Sequence, residues 1–120
     1  MNTRYDVMIL GTGEAGIFAA YELSLKCPGA KVLVVDQGAD IYHRSCPIVA
    51  GRVKSCIHCK VCDTMCGFGG AGAFSDGKYN FTTAFGGWLT DFLDEREVMD
   101  LIDYVDSLNV KHGATTEVYS

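Results

Sequence analysis

The sequence predicts an α/β fold that opens on a strand–helix–strand unit, and three observations lead there. An apolar run, Val7-Met8-Ile9-Leu10, is followed at once by the glycine-rich stretch Gly11-Thr12-Gly13-Glu14-Ala15-Gly16. A second β-branched run, Lys31-Val32-Leu33-Val34-Val35, ends on Asp36. Each run is short enough for a buried parallel strand, and residues 17–26 between them hold few helix breakers. A lone Gly-x-Gly-x-x-Gly is a weak signal. Strand, glycine turn, helix, strand and then an acid roughly 20 residues beyond the glycines is the fingerprint of an ADP-containing dinucleotide site in a partial Rossmann-like unit.

Each position has a physical task in that reading. Gly11 permits the tight turn out of the strand, Gly13 lets a pyrophosphate approach the backbone, and Gly16 lets the helix sit close to the sheet. The free N–H groups at the helix start, at Glu14 and Ala15, face a phosphate along the helix dipole. Asp36, followed by Gln37, is placed to accept hydrogen bonds from ribose hydroxyls and to repel a 2′-phosphate. The competing reading is an ordinary βαβ unit with a surface Asp. Between FAD and NAD, the early position of the glycines and the small residue Ala20, one helical turn after Gly16, favour FAD. This spacing resembles the N-terminal FAD-binding segment of the two-dinucleotide-binding-domain flavoprotein superfamily. Asp36 stands where those proteins more usually carry Glu, which keeps NAD as the alternative.

Composition sets the frame. The chain has 120 residues, 48% apolar and 21% charged, as expected of a globular protein. Its formal charge of −5 argues against nucleic acid or an anionic membrane as the main partner. No apolar run approaches the ~20 residues of a membrane span. No signal peptide is recognisable ahead of the first strand, so a cytoplasmic location is expected. Only two parallel strands are predicted, fewer than a complete dinucleotide-binding domain needs. An N-terminal piece of a larger protein, or one chain of a split enzyme completed by a second chain, is therefore expected. A small domain held together by a metal is the competing view. The expected divisions are residues 1–38, the ADP-binding unit; 39–87, a Cys/Gly-rich region; and 88–120, a helical segment. Thr115 to Ser120 are read as the possible opening of a further strand.

The six cysteines are many for a cytoplasmic chain, where disulfides are rare. Cys56, Cys59, Cys62 and Cys66 follow the C-x2-C-x2-C-x3-C run of bacterial-type ferredoxins, which wraps a [4Fe–4S] cluster. In ferredoxins proline follows the fourth cysteine of that run. Here Gly67 follows Cys66, whereas Pro47 follows Cys46, so the fourth ligand beside Cys56, Cys59 and Cys62 is either Cys66 or Cys46. Three other readings compete: a zinc site with His58 as a further ligand, a redox-active thiol pair, and plain loop thiols. Cys27 reads as structural, and His43 and His112 as surface residues.

The stretch Gly67-Phe68-Gly69-Gly70-Ala71-Gly72-Ala73-Phe74-Ser75-Asp76-Gly77-Lys78 is too rich in glycine for regular structure. Its aromatics distinguish it from a flexible linker and suggest a loop facing a ligand. Gly70, Ala71, Gly72 and Ala73 would bring backbone close to the cofactor and Phe74 would cover an apolar ring. Ser75, Asp76 and Lys78 would orient it, with Lys78 placed to favour an anionic reduced flavin. Together, Cys46-Pro47-Ile48, the cysteine run, this loop and Gly86-Gly87 resemble a family of largely uncharacterised bacterial FAD-dependent dehydrogenases, which are much longer two-domain flavoproteins. The resemblance covers nearly the whole chain. It implies that Gly11, Gly13, Gly16 and Asp36 hold the ADP half of FAD and that the glycine loop lies toward the isoalloxazine.

Beyond Gly87, residues 88–93 read as a short helix and 95–109 as a longer one. In the latter, Val98, Leu101, Ile102, Val105 and Leu108 recur at helical spacing. Asp94 is a cap, and Asp100, Asp103 and Asp106 belong to a solvated face. The functional expectation is an FAD-dependent oxidoreductase in which a cysteine-bound cluster exchanges electrons with the flavin. Substrate, electron partner and catalytic residues are not identified. The alternatives are a non-catalytic metal-binding module and a fragment of an NAD-dependent dehydrogenase with structural zinc.

Overall fold

The computed structural model describes residues 4–118 and divides into two compact units, Met1–Gly77 and Lys78–Ser120. It is mixed α/β, with a two-stranded parallel sheet, two α-helices and short 3-10 turns.

In the first unit, β1 (Val7–Leu10) leads through the glycine turn into α1 (Glu14–Lys26), and the chain returns as β2 (Val32–Val35). The strands pair in parallel with Val7 opposite Val32 and Leu10 opposite Val35. Asp6 starts the pairing: its N–H donates to the Lys31 carbonyl at 2.9 Å, and its carboxylate accepts from the Lys31 N–H at 2.9 Å. Side chains alternate along β1, so Val7 and Ile9 are half-buried while Met8 and Leu10 point away, 60% and 78% exposed. Ile9 faces α1, since its Cγ2 lies 3.4 Å from where a Cβ on Gly16 would stand.

The helix begins three residues earlier than residues 17–26 predict, because Glu14, Ala15 and Gly16 form its first turn, with the Ile17 N–H reaching the Gly13 carbonyl at 3.0 Å. It ends near the Lys26–Glu22 ion pair of 2.8 Å, one turn apart. From Gly38 to Ala71 there is no helix or strand among the described residues; a 3-10 turn follows at Gly72–Phe74.

In the second unit, α2 (Glu95–Lys111) carries a complete capping box. The Glu97 N–H donates to the Asp94 carboxylate at 2.8 Å, and the Asp94 N–H donates to the Glu97 carboxylate at 3.1 Å. Val98, 5% exposed, is the buried apolar residue among those described, with Ile102, Val105 and Leu108 half-buried along the same stripe and Leu101 exposed. The helix expected over 88–93 is only a 3-10 turn, Leu89–Asp91. Gly86 and Gly87 both take positive φ just before it, and Asp94 starts the α2 cap just after, leaving too little chain to propagate a helix. Residues 114–118 form no strand, and the rest of the strand expected there, Tyr119 and Ser120, lies outside the described residues. No helix among the described residues is long and apolar enough to cross a membrane.

Candidate functional site: a glycine turn braced by Asp36 and a separate cysteine cavity

Gly11 leaves β1 with φ +104°, a backbone conformation that side-chain-bearing residues rarely adopt, and its N–H still bonds to the Val35 carbonyl at 2.7 Å. A Cβ on Gly16 would overlap the Gly11 carbonyl oxygen, so the absent side chain is what lets α1 start directly over the turn. Gly13 is the N-cap, and no side chain caps the helix. The first-turn N–H groups at Glu14, Ala15 and Gly16 therefore have no side-chain acceptor, and the helix dipole adds partial positive charge there.

Asp36 departs from the expected use. One carboxylate oxygen accepts from the Thr12 N–H at 2.7 Å and the Thr12 hydroxyl at 2.9 Å. The other accepts from the N–H groups of Gly38 and Gly67, both at 2.8 Å. A carboxylate offers about four lone-pair positions, and its own chain fills them. The oxygens that the sequence reserves for ribose hydroxyls instead brace three segments: the glycine turn, the end of β2 and the residue after Cys66. The Gly38 N–H first, then the Thr12 N–H, pull the Asp36 pKa down from 3.8 to about 2 against the opposing effect of desolvation, so it is ionised at neutral pH. Beside it, a cavity of about 440 Å³ is lined by Gly11, Asp36, Gln37, Met65 and Cys66. Gln37 donates from Nε2 to the Cys66 sulfur at 3.1 Å.

The glycine loop lies against the turn. The Gly69 N–H donates to the Thr12 carbonyl at 2.8 Å, and Gly70, at φ +56°, passes so close that a Cβ would come within 2.9 Å of the Gly13 Cα. A Cβ on Gly72 would run into the Glu14 carboxylate. Ala71 and Ala73 are exposed, and the 3-10 turn closes with the Ser75 N–H on the Gly72 carbonyl at 3.1 Å. Phe74, expected over an apolar ligand ring, lies under the Arg44 guanidinium, 4.6 Å from the ring centroid. A cation thus packs on one face of the ring, which remains 49% exposed. Ser75 accepts from the Gly77 N–H at 3.1 Å. Asp76 is exposed, and Lys78 belongs to the second unit.

The six cysteines are free thiols. A second cavity, about 210 Å³, is lined by Cys46, Cys56, Cys59 and Cys62, with His58 and Asp63. Cys66 lines the other cavity. Among the described residues no three His, Cys, Asp or Glu side chains converge closely enough to hold a metal ion. Four thiols line this largely apolar pocket, a donor type that soft metals and iron–sulfur clusters use. His58 has φ +52°, the one left-handed non-glycine residue described, and this turn aims its N–H at the Cys56 sulfur, 3.4 Å away. The Val49 and Ile48 N–H groups and the Thr64 side chain pull the Cys46 thiol below its ordinary range, against the nearby Asp63 charge. Cys27 is exposed at the end of α1. His43 sits on the surface with its ring against the Asp40 carboxylate at 2.5 Å.

Sequence reasoning passed over two residues that hold the site. Thr12 is a freely variable position of the glycine motif, yet it is only 8% exposed and gives Asp36 two hydrogen bonds. Arg44 is 6% exposed and donates to the carbonyls of Asp63 at 2.8 Å, Thr64 at 2.9 Å and Phe68 at 2.7 Å. Its acceptors are backbone oxygens, which no side-chain pattern announces. No family model, curated protein or solved structure matches the chain.

Proposed function

We propose that this chain supplies the ADP-binding and thiolate-bearing part of an FAD-dependent oxidoreductase, a Rossmann-like unit working in the cytoplasm. One observation carries the reading: a parallel β1–α1–β2 unit whose turn leaves α1 uncapped by any side chain, with glycine where the backbone must be bare. That is the arrangement in which a pyrophosphate takes the place of the cap. The Gly69–Gly70 backbone forms a second wall beside Gly13, narrowing the approach to that turn. Asp36 acts as a brace, and its ionised carboxylate in the groove disfavours a 2′-phosphate. Gln37, on the same groove, is the residue placed to meet the ribose.

FAD would supply the hydride or electron chemistry with an organic substrate. The residues here bind and orient it, and a cysteine-bound cluster would exchange single electrons with a partner. The uncovered Met8 and Leu10 favour a further segment or a second chain that completes the sheet and the flavin site.

Calorimetric titration with FAD, NAD and ADP tests the nucleotide reading. Binding of FAD and ADP, lost in Gly13→Ala, is expected. Absence of binding by all three at millimolar ligand refutes it. A second reading, structural zinc in place of the cluster, draws on the same four thiols, and metal analysis of the purified protein separates the two.

A further inference from the structure

The cysteine run leaves the fourth ligand open between Cys66 and Cys46, and the two thiols belong to different cavities. Cys66 ends a helical turn in which its N–H bonds to the Cys62 carbonyl at 2.8 Å. That turn carries it away from the cysteine pocket and into the groove of Gly11, Asp36 and Gln37. Two contacts hold it there: Gln37 donates to its sulfur, and the following residue, Gly67, is fixed to Asp36 through its N–H at 2.8 Å.

Cys46 comes from a separate loop, yet it is fixed beside Cys62 by several independent contacts. On its N-terminal side, Arg44 forks onto the Asp63 and Thr64 carbonyls, and the Ser45 N–H donates to the Asp63 carboxylate at 3.1 Å. On its C-terminal side the chain folds into one tight turn, with the Ala50 N–H on the Cys46 carbonyl at 2.9 Å and the Arg52 N–H on the Pro47 carbonyl at 2.8 Å. Arg52 also reaches back to the Ser45 carbonyl at 3.2 Å. These contacts present Cys46 to the pocket lined by Cys56, Cys59 and Cys62. The apolar residues Pro47, Ile48, Val53 and Ile57 share that pocket. Cys56, Cys59 and Cys62 are exposed and Cys46 is half-buried around this small, largely apolar hollow, and a backbone N–H already directed at one sulfur suits a cluster held near the surface, whose sulfurs accept hydrogen bonds.

We propose that Cys46, Cys56, Cys59 and Cys62 form the metal-binding thiolate set, and that Cys66 is not a ligand but a thiol of the nucleotide groove. The inference rests on the reading of the cysteine segment as a metal site, and it deepens that reading by naming its ligands. The protein is bent back on itself to build the site: one ligand comes from the segment after β2 and three from the C-x2-C-x2-C run. Loading requires that the four thiols lining this pocket draw together, whereas recruiting Cys66 would also break its contact with Gln37 and strain the Gly67–Asp36 bond.

The test is anaerobic reconstitution of the purified chain with ferrous iron and sulfide, and in parallel with zinc alone, for the unaltered protein, Cys46→Ser and Cys66→Ser. Bound iron, acid-labile sulfide, bound zinc and the electron paramagnetic resonance spectrum after dithionite reduction are recorded. Circular dichroism of each variant before loading confirms that the fold is kept. Roughly four irons per chain in the unaltered protein and in Cys66→Ser, with loss of at least half the iron in Cys46→Ser, is the expected result. Loss in Cys66→Ser with retention in Cys46→Ser overturns the ligand assignment and leaves the cluster reading intact. Zinc without iron, lost only in Cys46→Ser, supports the assignment and overturns the iron–sulfur reading. Binding of neither metal by the unaltered protein overturns both.

Discussion

Replacing Asp36 with Asn tests the brace directly. The carboxylate receives four donors, two on each oxygen. An Asn keeps one oxygen and presents an NH2 where the other stood. With the amide oxygen on Gly38 and Gly67, the NH2 can satisfy the Thr12 hydroxyl but leaves the largely buried Thr12 N–H facing a donor. One such orphan costs about 1–3 kcal/mol. The pKa supports the same scale. The difference between 3.8 and about 2 corresponds to roughly 2.4 kcal/mol at 1.36 kcal/mol per pH unit, which solvent screening at the open groove reduces to about 1–2 kcal/mol. In urea at pH 7 the variant should therefore unfold at a midpoint lower by on the order of 1 M. The sign of the pH dependence follows from a folded pKa below the unfolded one. The stabilisation is fully present above about pH 4 and is lost as pH falls through that value toward about 2. The gap between the two proteins should shrink over the same interval. Equal midpoints at pH 7, or a gap that persists undiminished to pH 2, would refute the brace.

Four further substitutions separate packing from binding. Gly16→Ala forces a Cβ into the Gly11 carbonyl and should cost about 1–3 kcal/mol in thermal unfolding. Gly13→Ala meets nothing nearer than the Gly70 Cα at 4.0 Å, so its stability should stay within about 0.5 kcal/mol while calorimetric affinity for ADP falls about tenfold or more. Arg44→Lys loses the three-way fork onto Asp63, Thr64 and Phe68, with an expected cost of about 2–4 kcal/mol and faster alkylation of Cys62 and Cys66 read by peptide mass spectrometry. His58→Gly removes the strain of a left-handed side-chain-bearing residue and should raise the urea stability by about 1 kcal/mol while keeping the N–H aimed at Cys56.

Where a pattern is local, the sequence displays it. The apolar runs mark β1 and β2 almost to the residue, and Asp94 with Glu97 announces the start of α2, because strand alternation and helix capping depend on neighbours within a few positions. The bareness required at Gly11 and Gly16 is legible for the same reason. What escaped depends on contacts between distant segments. Asp36 was expected at a ligand, but its fate is decided by Gly67, 31 residues away. The division of the cysteines is set by which loop Arg44 pins, through carbonyls that carry no side-chain signature. The Phe74 ring meets Arg44 across a separation that no periodicity reports. The short helix over 88–93 failed for a different reason: flanking glycines and the next cap competed for its residues.

The sheet has a consequence for how the chain behaves in company. With two strands, each keeps one edge of backbone N–H and C=O groups unpaired within the described fold. The strands read Val-Met-Ile-Leu and Val-Leu-Val-Val, without a charge or a proline to blunt those edges. Their gatekeepers stand only at the ends: Asp6 before β1, Lys31 before β2 and Asp36 after it. Such strands are templates for a foreign strand, and Met8 and Leu10 offer it an apolar face. Self-association should therefore rise with concentration and be visible as intermolecular β-structure by infrared spectroscopy. On the proposed reading, the strand that completes the sheet also guards it against aggregation.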